Sequence, residues 1–166
     1  EENKEACDAI VSMYAAKVIE KETNGRKRRY VKLVARNGSE VLADSHQFPC
    51  RPCEICGRMF DVLRRVSKQG NERAADIVVS QKRVDEVFSV EVGYVDFVDD
   101  NHGHIHVYDS QSRHFVALKS VHSAINITAG SYVRFCPIIA NGDHFKWAAI
   151  VGLMDKYEGR NAFGVY

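Results

Sequence analysis

The 166-residue sequence predicts an all-β, mainly antiparallel protein with one helical interruption. Three observations predict it. Short runs of β-branched and aromatic residues recur along the chain; turn pairs such as Asn24-Gly25 and Asn37-Gly38 separate them; and after Pro49 the apolar period lengthens from two to three or four. Hydrophobic residues make up 45% of the chain, enough for a core and too many for wholesale disorder. No apolar run approaches the roughly 20 residues of a membrane-spanning helix. The charged start, Glu1 to Cys7, has no signal-peptide pattern.

The elements follow in order. Ile10 to Glu20, the turn Thr23-Asn24-Gly25, the alternating run Tyr30 to Ala35, the turn Arg36 to Ser39 and the return Glu40 to Asp44 read as a three-stranded meander. A helix is expected over 52–68: Pro52 suits a first turn, Ile55, Met59, Phe60, Leu63 and Val66 make one apolar stripe, and Gly70 ends it. Ala74 to Ser80 and Val84 to Val90 read as two further strands. Together these make a basic β domain over 1–88. Val90 to Val98, His104 to Tyr108, Arg113 to Lys119, Tyr132 to Ile139 and Phe145 to Leu153 are five more strands. Five short strands outline an OB-type barrel over 89–154, followed by a tail at 155–166. The expected architecture is therefore one or two OB-type five-stranded barrels with a helical, Cys-containing insert.

Several motifs in the second half carry a resemblance. Gly93-Tyr94-Val95-Asp96-Phe97-Val98 is followed, after four loop residues, by Gly103-His104-Ile105-His106-Val107. Downstream come His114-Phe115-Val116-Ala117, Ser123-Ala124-Ile125, Gly130-Ser131-Tyr132-Val133-Arg134-Phe135 and the pair Ala148-Ala149 before Val151. In order and spacing this stretch, about residues 90–153, resembles a cold-shock domain. The resemblance implies a non-enzymatic OB barrel that binds single-stranded nucleic acid. The sequence departs from the family at telling places. Where the family has Gly-Phe-Gly-Phe-Ile both phenylalanines are histidine, His104 and His106; where it has Val-Phe-Val-His the histidine is Ala117; and Asp96, Asp99 and Asp100 stand where the family offers cations.

Residues two apart on a strand share a face, so His104 and His106 point the same way. A four-residue loop over 109–112 would set His106 opposite Phe115 and His104 opposite Ala117, with His114 on the other face. Phe97, His104, His106 and Phe115 are then the candidate base-stacking residues, because flat π-bearing side chains are what unstacked bases bind. Charge supplies the second half of the reading. The net charge of +1 divides into 17 basic and 14 acidic residues over 1–88, and 6 and 8 over 89–166. Arg26, Lys27, Arg28, Arg29, Lys32 and Arg36 form a cationic run uninterrupted by acid, a local polyanion site or a solvated hairpin that blunts a sheet edge. Arg26, Lys27, Arg28, Arg29 and Lys32, beside Tyr30, are the candidate phosphate contacts. Tyr30 to Ala43 also aligns with His104 to Ala117 at a constant offset of 74, as a degenerate tandem copy would. Most meanders align about this well, so repeat and coincidence both stay open.

Cys50, Cys53 and Cys56 form two overlapping C-x2-C pairs, and three of five cysteines within seven residues do not make a secreted disulfide framework. The protein is expected to be intracellular, in cytoplasm or nucleus. Cys53 to Phe60 resembles the knuckle that opens a zinc finger, but no histidine follows over 63–71. A structural zinc site would need Cys50, Cys53 and Cys56 with His46, or with Cys7 or Cys136; the alternative is three reduced cysteines. No Gly-rich phosphate loop, nucleophile elbow or acid–base pair is present, so the chain is not expected to be an enzyme. The expected partner is single-stranded RNA, or DNA, with no membrane. The alternative is a protein–protein adaptor built on OB barrels around a zinc-stabilised Cys cluster.

Overall fold

A computed structural model of the chain describes residues 9–66, 70, 72–119, 127–141 and 146–164. The chain divides into two compact units: Glu1–Arg83 with Ala140–Asp143, and Val84–Ile139 with His144–Tyr166. The boundary falls a few residues before the expected 88/89 division. Both units are built mainly from antiparallel strands, and among the described residues no helix is long and apolar enough to cross a membrane.

In the first unit β1 (Ala9–Thr23), β2 (Arg26–Ala35), β3 (Glu40–Asp44), β4 (Met59–Val66) and β5 (Glu72–Val79) form one sheet in the order β3-β2-β1-β4-β5. Inward-pointing Met13, Ala15, Val31, Leu33, Val41, Phe60, Val62 and Ile77 make one core, so the sheet curls around the side chains of both its end strands. At the open seam the Gln47 side-chain amide donates to the carbonyl of Ala74 on β5 at 3.0 Å.

The helix expected over 52–68 does not form. Only Pro52–Glu54 makes a short 3-10 turn, Gly57 then takes a left-handed φ of 90°, and Met59–Val66 is strand β4. The apolar stripe satisfied two periods at once. Ile55 and Phe60 are buried, as a helix would have them, but Phe60 and Val62 alternate inward and pair across β1 and β5. Tertiary pairing decides such an ambiguous run. The expected strand over Val84 to Val90 is likewise corrected: Val84–Val87 is a helical turn, α1, with Asp85 and Glu86 at its start and Phe88 N–H bonded back to the Val84 carbonyl at 2.8 Å.

In the second unit β6 (Glu91–Asp99), β7 (His104–Asp109), β8 (His114–Leu118), β9 (Tyr132–Ile139) and β10 (Lys146–Met154) close into a barrel. The ring runs β6-β7-β8-β10-β9 and returns to β6, with β8 and β10 parallel and the other neighbours antiparallel. That is an OB-type barrel. Val95, Ile105, Val107, Phe115, Val133, Phe135 and Ala148 fill it. Gly93 is required by crowding, because a Cβ there would collide with Val107 and Phe135. The tail holds a helix, α2 (Lys156–Ala162), which Asp155 caps by accepting from the N–H groups of Tyr157 and Glu158. Phe163 packs on Tyr132 at 5.6 Å between ring centroids.

The first unit repeats the ring order of the barrel, without a β3–β5 ladder among the described residues. The correspondence reaches single hydrogen bonds. β1–β2 shifts register between Ala15 and Lys17, β6–β7 between Val95 and Phe97. After β2, Ala35 N–H bonds the Ser39 carbonyl and Gly38 N–H the Ala35 carbonyl; after β7, Asp109 N–H bonds Arg113 and Ser112 N–H bonds Asp109. Gly38 and Ser112, each at positive φ, are the offset of 74 apart found in the sequence.

Candidate nucleic-acid interface

The outer face of the barrel carries a cluster of rings. Along β7 the inward residues are Ile105 and Val107, so His104, His106 and Tyr108 face outward. Phe97 of β6 lies opposite His106 and its ring stacks on it, 4.0 Å between centroids at 11°. His106 Nδ1 meets His114 Nε2 at 2.8 Å, with ring planes 14° apart and centroids separated by 5.0 Å. Those distances leave about one ring radius at each end of the N···N vector. The two imidazoles therefore lie edge to edge, close to coplanar, joined by a single N–H···N bond. His104 meets Trp147 of β10 edge to face at 5.6 Å and 88°. Trp147 lies next to Val116, the β8 residue opposite His106, and so completes the row Phe97, His106, Val116, Trp147 across four strands.

This arrangement corrects the expected hairpin register by one residue. His106 pairs with Val116 and Val107 with Phe115; Tyr108 faces His114. The cause is Asp109, 2% exposed, whose carboxylate accepts from the N–H groups of Gln111 and Arg113 and from the Arg113 guanidinium at 2.8 Å. These bonds extend the turn through Arg113, with Ser112 at a φ of 62°. A one-residue slip turns every side chain of a strand over. Phe115 accordingly lies in the core with no exposed surface, not on the stacking face, and His114 joins the face from which it was excluded. Phe97, by contrast, is 46% exposed.

Two of the acids at the edge of the face are held by neighbouring side chains. Asp99 accepts from His102 Nδ1 at 2.7 Å, and that bond holds its carboxyl below the usual range; Asp100 pairs with Lys119. Burial, with His102 and His106 nearby, lowers the pKa of His104. Burial first, then His106, lowers that of His114, with Lys146 adding to the effect and Asp96 opposing it. Near neutral pH both imidazoles are therefore uncharged and suited to stacking and hydrogen bonding. His106 Nε2 is enclosed and has no hydrogen-bond partner among the described residues.

In the first unit the expected phosphate contacts divide. Arg26, Lys27, Arg28 and Arg29 are exposed and Tyr30 is half-buried. Lys32 is not available. It is 6% exposed and its ammonium lies 3.5 Å from Glu40. Lys32 and Glu40 occupy the positions that His106 and His114 hold in the barrel, so one cross-strand site is an ion pair and the other an imidazole pair.

Among the described residues no group of three or more His, Cys, Asp or Glu is arranged to hold a metal. His46 Nδ1 bonds Asp44 at 2.9 Å, Cys53 is exposed, and burial pushes the Cys56 thiol up to about 11. Cys136 is a core thiol of the barrel, and Cys7 lies outside the described residues. So does the Ser123-Ala124-Ile125 motif. The sequence reading missed Trp147 and His114. Strict alternation along β10, with buried Ala148 next to Trp147, would have turned Trp147 outward.

The class these observations define is an OB-type β barrel with an outward ring cluster. No protein-family model matches the chain, and no curated protein matches it. Among solved structures, drosophila Unr CSD456 is similar at 14% identity and a TM-score of 0.36, over 90% of this chain. The chain spans 63% of that structure's length. The fold assignment rests on strand order and closure.

Proposed function

We propose that the chain binds single-stranded nucleic acid, RNA in preference to DNA, on the outer face of its barrel. The observation that carries this reading is the row of rings from Phe97 across His106 to Trp147, with His104 and His114 beside it. Stacking on aromatic rings contributes roughly 1–3 kcal/mol per base and tolerates any base. The imidazoles add hydrogen bonds suited to base edges and to a 2′-hydroxyl. The ion pair of Asp100 with Lys119 reduces repulsion of phosphate. The exposed cations of the β1–β2 hairpin are separate candidates for phosphate contacts, which supply most non-specific affinity. The first unit is an open second copy of the barrel in which the ring site has been replaced by charge. Fluorescence anisotropy of labelled single-stranded RNA tests the reading: His106→Ala is expected to weaken binding about tenfold. Equal affinity of wild type and variant would reject it.

A further inference from the structure

We infer that the β1–β2 hairpin is a two-faced arm whose one face, carrying Lys21, Arg26 and Arg28, is a binding site for a phosphodiester backbone. Its other face is neutralised by its own acids. The inference rests on the nucleic-acid reading above and assigns the phosphates to particular side chains.

The arm stands beyond the sheet. β4 pairs with β1 only as far as Tyr14, and β3 with β2 only as far as Tyr30. From Glu20↔Arg29 to Thr23↔Arg26 the two strands, among the described residues, therefore pair only with each other, and every residue is exposed. The corresponding ladder of the barrel ends at Asp99↔His104, the pair equivalent to Ile19↔Tyr30. This ribbon is thus an addition to the shared plan. Asn24 and Gly25, at φ of 54° and 76°, close it as a two-residue turn, which fixes the register and so fixes which side chains share a face.

Directly opposed residues lie on one face. Glu20 opposes Arg29 and Glu22 opposes Lys27, and Glu20 lies 3.7 Å from Arg29 and 4.0 Å from Lys27. Two acids balance two cations there. On the opposite face Lys21 opposes Arg28 and Thr23 opposes Arg26, giving three cations and no acid within the ribbon. Tyr30 continues this face, with Lys21 Nζ 5.9 Å from its ring centroid. Asp44 lies opposite Tyr30; it feels Arg28, but its carboxylate is occupied by the N–H and Nδ1 of His46. The five cations of the ribbon thus divide into an uncompensated face of three and a balanced face of two.

Two double variants that change net charge equally test this: Arg26→Gln with Arg28→Gln, and Lys27→Gln with Arg29→Gln. The probe is fluorescent inorganic polyphosphate, which has phosphates and no bases, titrated at several salt concentrations. Wild type is expected to bind. The Arg26/Arg28 variant is expected to lose about tenfold in affinity and to show a shallower salt dependence, as fewer phosphates are neutralised. The Lys27/Arg29 variant is expected to stay within about threefold of wild type. No binding by wild type, equal losses in both variants, or a larger loss for Lys27/Arg29 would overturn the assignment. Phe97→Ala against single-stranded RNA reads the ring face separately. Loss of RNA affinity there, with equal behaviour of the arm variants, would reject the arm site and leave the barrel reading standing.

Discussion

His106 Nδ1 and His114 Nε2 meet at 2.8 Å across β7 and β8, and the register that joins them also sends Phe115 into the barrel core. One hydrogen-bonded turn at Asp109 sets both. The ring face and the core are therefore two consequences of one local choice.

The register gives a contrast between two phenylalanines. Phe115→Ala is expected to destabilise the barrel by about 3–5 kcal/mol in urea unfolding, because it opens a cavity in the core. Phe97→Ala, at an exposed position, is expected to cost less than about 1 kcal/mol while weakening RNA binding. Equal destabilisation by the two substitutions would contradict the register.

Much of this plan was legible in the sequence. Asn24-Gly25 and Asn37-Gly38 marked turns that the structure places between paired strands, and the spacing of the second-half strands anticipated a closed barrel. The misreadings share a physical origin, since each residue involved satisfied a local rule that tertiary pairing overrode. Ile55 to Val66 fitted a helical stripe and became β4. Asp109 looked like a turn residue only, yet its buried carboxylate lengthens the turn and inverts β8. Lys32 belonged to a cationic run, but alternation and the Glu40 partner take it out of solvent.

His104 is expected to titrate below 6.5, because burial and its neighbouring histidines favour the neutral ring. Trp147, the only tryptophan, touches it and reports its charge, so emission should fall with a midpoint below pH 6.5 and lose this step in His104→Gln. The sign for stability follows. A histidine with a lowered folded pKa contributes fully above its unfolded value of 6.5, and that contribution is lost as pH falls through the folded pKa. The thermal unfolding midpoint should therefore fall from pH 7 toward pH 5. A midpoint above 6.5 would contradict the burial of this ring.

The cysteines should separate by access. Cys53 is exposed, whereas burial raises Cys56 to about 11 and Cys136 to about 12. Brief iodoacetamide treatment at pH 8, read by mass spectrometry, should label Cys53 first and Cys136 only after unfolding. Equal labelling of Cys53 and Cys136 in the folded protein would contradict the barrel packing.

The central claim is that bases stack on the face holding Phe97, His106 and Trp147. Intrinsic fluorescence of the single Trp147, titrated with unlabelled single-stranded RNA at low salt, tests it most directly. Saturable quenching is expected, and Phe97→Ala should shift it about tenfold to higher RNA concentration. RNA binding detected by anisotropy with no change in Trp147 emission, or with none from Phe97→Ala, would contradict it.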